Sequence, residues 1–119
     1  MTSENEIQSE IRATLNYRPE CTIYRNNTGA AKMGQRWVRF GLCKGSSDLI
    51  GYTSTEITPE MVGSHLAVFT ALEVKKPGGQ VTFEQVEFGD AVKKAGGIFA
   101  VVESVHDAED AIRKGIDNE

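Results

Sequence analysis

The stretch Ala67-Val68-Phe69-Thr70-Ala71-Leu72-Glu73-Val74-Lys75 constrains the fold more than any other part of this chain. It is apolar until it closes on Glu-Val-Lys, and Pro77-Gly78-Gly79 stops it. Successive side chains of a strand point to opposite faces, so Glu73 and Lys75 share a face with Phe69 and Ala71. Val68, Leu72 and Val74 take the other face. A carboxylate and an ammonium ending an apolar strand are costly to desolvate unless they meet a partner or a metal. A second acid, Asp48 in Gly45-Ser46-Ser47-Asp48-Leu49-Ile50-Gly51, opens another apolar run.

Around these two strands the pattern alternates in an α/β order. Ser3-Glu4-Asn5-Glu6 reads as a capping box. The helix it opens carries Ile7, Ile11 and Leu15 on one stripe and ends before Pro19. Cys21 to Arg25 reads as a strand, Asn26-Asn27-Thr28-Gly29 as a turn or loop, and Arg36 to Leu42 as a strand. Asp48 to Tyr52 is the next strand, and Pro59 can sit at the first position of a short helical turn. After the Ala67 to Lys75 strand, Thr82-Phe83-Glu84-Gln85 is a second capping box, whose helix runs to about Gly96-Gly97. Ile98 to Val102 is a buried strand and Asp107 to Gly115 a closing helix. The expected architecture is a mixed β-sheet flanked by α-helices.

At 119 residues the chain is expected to form a single domain with one core. Its N-terminus lacks a basic region followed by an apolar stretch, so no signal peptide is expected. No run is long enough to span a bilayer, and a cytoplasmic location follows as the expectation. Cys21 and Cys43 stand apart from any paired spacing and read as reduced, mostly buried thiols. His65 and His106 are too few and too scattered for a zinc site. There is no Walker loop, Rossmann fingerprint or nucleophile elbow, so no nucleotide or other small-molecule cofactor is expected. The net charge of −4 sits awkwardly with nucleic-acid binding, for which basic faces are usual. Local clusters are the available remedy: Lys32, Arg36, Arg39 and Lys44 form one, and Lys93-Lys94 another.

The order of helix, strands ending in Asp and Glu-x-Lys, helix and strand resembles the core of the PD-(D/E)XK superfamily. More narrowly, Gly41-Leu42-Cys43-Lys44-Gly45-Ser46-Ser47-Asp48-Leu49-Ile50-Gly51 is similar to the stand-alone VRR-NUC domains of bacteriophages. The same holds for Glu73-Val74-Lys75-Lys76-Pro77 and for Gly96-Gly97 before an apolar strand. The resemblance covers nearly the whole chain. It implies a restriction-endonuclease-like fold and a metal-dependent endonuclease acting on branched DNA, related to Holliday junction resolvases and working as a homodimer. If phage-encoded, the protein would act in the host cytoplasm.

That chemistry needs the residue types found here. Hydrolysing a phosphodiester requires a positioned water and neutralisation of charge on phosphorus. Mg²⁺ or Mn²⁺ supplies both and takes oxygen ligands. By the resemblance, Asp48, Glu73 and the carbonyl of Val74 are the metal ligands, while Lys75 orients or deprotonates the water or stabilises the transition state. Taken singly, each residue has a plain alternative: Asp48 as a strand-start turn residue, Glu73 and Lys75 as an ordinary ion pair. A glutamate on the first helix is implied as well; Glu4 lies on the apolar stripe, with Glu10 as the substitute. Glu4 also suits the helix dipole. Gln85 matches a glutamine of related resolvases, although a capping box uses it equally well. Arg25, Lys32, Arg36 and Lys44 are candidate phosphate contacts, the plain alternative for the 25–34 segment being a solvated hairpin loop. Trp37 and Phe40 have opposite parity, so one is expected to pack inward. A nickase or flap nuclease, or a non-catalytic DNA-binding module on a nuclease fold, are the competing functions; the intact Asp48, Glu73 and Lys75 set speaks against the module.

Overall fold

Ser3 caps the first helix as its sequence implies, its hydroxyl accepting a hydrogen bond from the Glu6 amide at 3.2 Å. In the computed structural model, which describes residues 2–117, this helix is α1 (Glu4–Asn16). The chain divides into two compact units, Met1–Thr53 and Ser54–Glu119.

In the first unit α1 is followed by β1 (Cys21–Arg25), β2 (Gly29–Met33), β3 (Arg36–Phe40) and β4 (Leu49–Thr53). β1 pairs antiparallel with β4, from Cys21 opposite Thr53 to Arg25 opposite Leu49. β2 and β3 form a separate antiparallel hairpin, from Gly29 opposite Phe40 to Met33 opposite Arg36. β2 falls in the 25–34 segment that reads as a loop, and its Gly-Ala-Ala-Lys-Met holds no β-branched or aromatic residue to signal a strand. It is a strand by virtue of pairing with β3, and Gly29 leaves room for the Phe40 ring, whose Cζ lies 2.6 Å from where a Cβ would sit. α1 packs on β1, and Asn16 fixes its angle. The Asn16 side chain accepts from the Ile23 amide at 2.7 Å and donates to the Ile23 carbonyl at 3.0 Å. This orientation half-buries Gln8, Arg12 and Leu15. Ile7 and Ile11 remain 45% and 40% exposed, so the covered stripe is rotated from the expected one.

The second unit contains a 3-10 turn (Pro59–Met61), β5 (Thr70–Val74), α2 (Phe83–Lys94), β6 (Ile98–Val102) and α3 (Val105–Asp117). β5 and β6 are parallel, from Thr70 opposite Ile98 to Val74 opposite Val102, with α2 as the connecting helix. β5 is shorter than the apolar run because its partner begins only at Ile98, whose amide donates to the Phe69 carbonyl at 2.9 Å. Both halves of the Thr82–Gln85 capping box are formed. Among the described residues the buried apolar core is Val92, Ile98 and Val102. Gly89, also buried, faces the Phe99 ring, and that ring meets Phe88 edge-on at 6.4 Å between centroids. α3 starts at Val105, before the expected Asp107, because Ser104 caps it: the Ser104 hydroxyl accepts from the Asp107 amide at 3.0 Å. The fold is thus α/β with both antiparallel and parallel strand pairs, as the resemblance implied. The strands pair as three two-stranded sheets among the described residues.

Candidate functional site

Glu73 and Lys75 lie at the end of β5, two residues apart and so on one face. The Lys75 ammonium stands 3.5 Å from the Glu73 carboxylate, with side chains 20% and 28% exposed respectively. Between them, Val74 turns its peptide the other way. The ladder to β6 runs through the Phe69 carbonyl at one end and the Lys75 amide at the other, the latter donating to Val102 at 2.9 Å. In a parallel pair alternate residues make the ladder bonds, so the Val74 carbonyl faces away from β6. The turn after β5 closes through the Gly79 amide to the Lys76 carbonyl at 2.9 Å, and Glu103 accepts from the Gly78 amide at 3.3 Å. Glu103 was not anticipated; its acceptor role is set by the approach of the β6 end to this turn, which no local sequence signal carries. Gln85 uses its side-chain oxygen to accept from the Thr82 amide at 2.9 Å.

Asp48, in the first unit, is exposed and immediately precedes β4. Its carbonyl accepts from the Asn26 amide at 2.8 Å. The Asn26 side chain organises the loop before Asp48: it donates to the Ser46 hydroxyl at 2.6 Å and the Ser47 carbonyl at 2.9 Å, and accepts from the Leu42 amide at 2.9 Å. Ser46 in turn donates to the Cys43 carbonyl at 2.6 Å. Asn26 is therefore a positioning residue for the Asp48 loop. Sequence reasoning placed it in a turn, and only its long-range partners reveal its work. Glu4 is exposed in the first turn of α1. Arg25 ends β1 opposite Leu49, Lys32 and Arg36 lie on the β2–β3 hairpin, and Lys44 is in the 41–47 loop; all four are exposed. Trp37 and Phe40 are both exposed, at 72% and 44%, so neither packs inward as expected. Cys21 is half-buried and Cys43 exposed, both free, which corrects the expectation of two mostly buried thiols.

The Glu73 carboxylate and the Val74 carbonyl are hard oxygen donors of the kind Mg²⁺ and Mn²⁺ prefer. Among the described residues, no three or more His, Cys, Asp or Glu side chains are grouped as a metal-binding cluster. A separate open groove of about 740 Å³ runs along β6 and α3, lined by Lys93, Phe99, Val101, Asp107, Asp110 and Lys114; Glu73, Lys75 and Gln85 do not line it. No described helix is long and apolar enough to cross a membrane.

No curated protein and no solved structure matches the chain at a significant level. The family model of the VRR-NUC domain does match, over residues 2–106. That span contains the Asp48 loop, the Glu73-Val74-Lys75 strand end and the capped helix bearing Gln85. The chain belongs to the VRR-NUC family, a nuclease domain of PD-(D/E)XK-like fold that acts on DNA.

Proposed function

We propose that this nuclease domain is a Mg²⁺- or Mn²⁺-dependent, structure-selective endonuclease that cleaves branched DNA, foremost four-way junctions. The observation that carries the reading is the half-buried Glu73–Lys75 pair at the end of β5 with the Val74 carbonyl turned off the ladder. Glu73, the Val74 carbonyl and Asp48 are the residues that would hold the ion. Once bound, such an ion acidifies a coordinated water and offsets charge developing on the phosphate. Lys75 would orient the attacking water or stabilise the transition-state charge as an ammonium, or help deprotonate the water as a free amine; its side-chain nitrogen lies 3.5 Å from the Glu73 carboxylate. Glu4 supports the metal site from α1, with Glu10 as the substitute, and Gln85 combines its capping bond with a site contact through its amide nitrogen. Arg25, Lys32, Arg36 and Lys44 contact backbone phosphates. The chain acts as one domain and as a homodimer, since paired sites address paired strands in a symmetric junction. A phage origin with action in the host cytoplasm is part of the same reading.

The test compares a synthetic four-way junction with linear duplex, flap and single-stranded controls, in Mg²⁺, Mn²⁺ or EDTA. Metal-dependent paired nicks on the junction are expected, and Lys75→Ala should slow them by roughly 10²-fold or more. Cutting of flaps, or single nicks, would retain the chemistry and replace the substrate. Binding without cleavage in any metal would leave a DNA-binding module and refute the enzyme.

A further inference from the structure

The chain is acidic overall, yet residues 21–47 contain no Asp or Glu and carry Arg25, Lys32, Arg36, Arg39 and Lys44. The centre of this segment is the β2–β3 hairpin, in which every residue except Gly29 is exposed. Its register sorts the side chains. Lys32 lies opposite Trp37 and Ala30 opposite Arg39, so these four share one face. The other face holds the apolar set Met33, Val38 and Phe40 with Arg36. On the first face a 72% exposed indole stands between two cations, with only the small Ala30 beside them.

We propose that this face of the hairpin grips unpaired DNA: Lys32 and Arg39 hold backbone phosphates while Trp37 stacks on an exposed base. The inference rests on the reading of the chain as a DNA nuclease and adds the substrate feature it recognises. Cations without nearby carboxylates attract phosphate regardless of sequence. Exposed aromatic rings interleaved with them take the flat face of a base, which intact duplex hides within its stack. A strand with unstacked bases, as at a fork, flap or junction centre, offers both at once. The charge of the segment selects a polyanion over a second copy of this acidic chain.

Trp37 is the sole tryptophan, so its emission reports on this face alone. The experiment titrates the full chain, in EDTA so that no strand is cut, with fluorescein-labelled single-stranded, four-way-junction and blunt duplex DNA. Label anisotropy and tryptophan emission are read in parallel. Saturable quenching by the single strand and the junction, and little by duplex, is expected. Trp37→Ala should weaken binding to unpaired DNA by about 5- to 150-fold, and Trp37→Phe should recover most of it. Lys32→Ala and Arg39→Ala should each lower the salt slope of log K by about 1. Retained anisotropy binding with unchanged emission would overturn the stacking and leave the nuclease reading intact. Emission that shifts with protein concentration and ignores DNA would overturn it in favour of a contact between copies. Absence of DNA binding in both readouts would overturn it whatever the cleavage assay gives.

Discussion

Asn26 joins the hairpin root to the Asp48 loop, and removing its side chain should cost both stability and activity. Asn26→Ala deletes bonds of 2.6, 2.9 and 2.9 Å to Ser46, Ser47 and Leu42. A net hydrogen bond contributes about 0.5–1.5 kcal/mol. The Leu42 and Ser47 partners are exposed and regain water, which places them at the low end, whereas Ser46 is half-buried. The sum is about 1.5–2.5 kcal/mol, a large part of a typical folding stability of about 5–15 kcal/mol. With a urea m-value of about 1–2 kcal/mol/M, the unfolding midpoint should fall by roughly 1–2 M. Asn26→Asp keeps the acceptor for Leu42, loses both donors and sets a carboxylate oxygen against the Ser47 carbonyl, so it should cost at least as much. The backbone bond from Asn26 to the Asp48 carbonyl survives both substitutions. DNA cleavage on the substrate proposed above, measured where each variant is still folded by circular dichroism, should fall further than the unfolded fraction explains. Unchanged urea midpoints in both variants would refute the energetic reasoning. Normal turnover by folded, destabilised protein would refute the positioning of Asp48.

Gly89→Ala should destabilise the second unit by up to about 2 kcal/mol, since the overpacking expected against the Phe99 ring, about 1–3 kcal/mol, outweighs the helix-propensity gain of about 1 kcal/mol. Thermal unfolding checks this, and a raised Tm would contradict the observed packing. The Tyr24 hydroxyl is pushed up from 10.0 to about 12 by burial first, then by the charge of Tyr52 and a hydrogen bond with it. Because the folded value exceeds the unfolded one, this contribution to stability is complete below pH 10.0 and is lost as pH rises towards about 12. Ultraviolet titration should show one late-ionising tyrosine that Tyr24→Phe removes; its persistence in that variant would refute the assignment.

Much of the fold was legible because its signals are local. The capped starts at Ser3 and Thr82, the turn at Pro77-Gly78-Gly79 and the apolar run of β6 each specify structure within a few residues. Glu73 and Lys75 share a face because strand periodicity demands it, and they lie within ion-pair distance of each other. The element bounds were less legible, since pairing partners set them: β5 is trimmed to the length of β6, and β2 exists only against β3.

The sequence by itself determined the α/β order, the caps and the strand face that joins an acid to a base. Tertiary structure alone decided the side of α1 that is covered, the exposure of Trp37 and the duties of Asn26 and Glu103. Each of these depends on partners distant in sequence, as when Asn26 reaches Ser46 and Gly78 reaches Glu103. Local propensity carries no information about which distant groups will meet; hydrogen bonding and burial settle that only once the chain has packed.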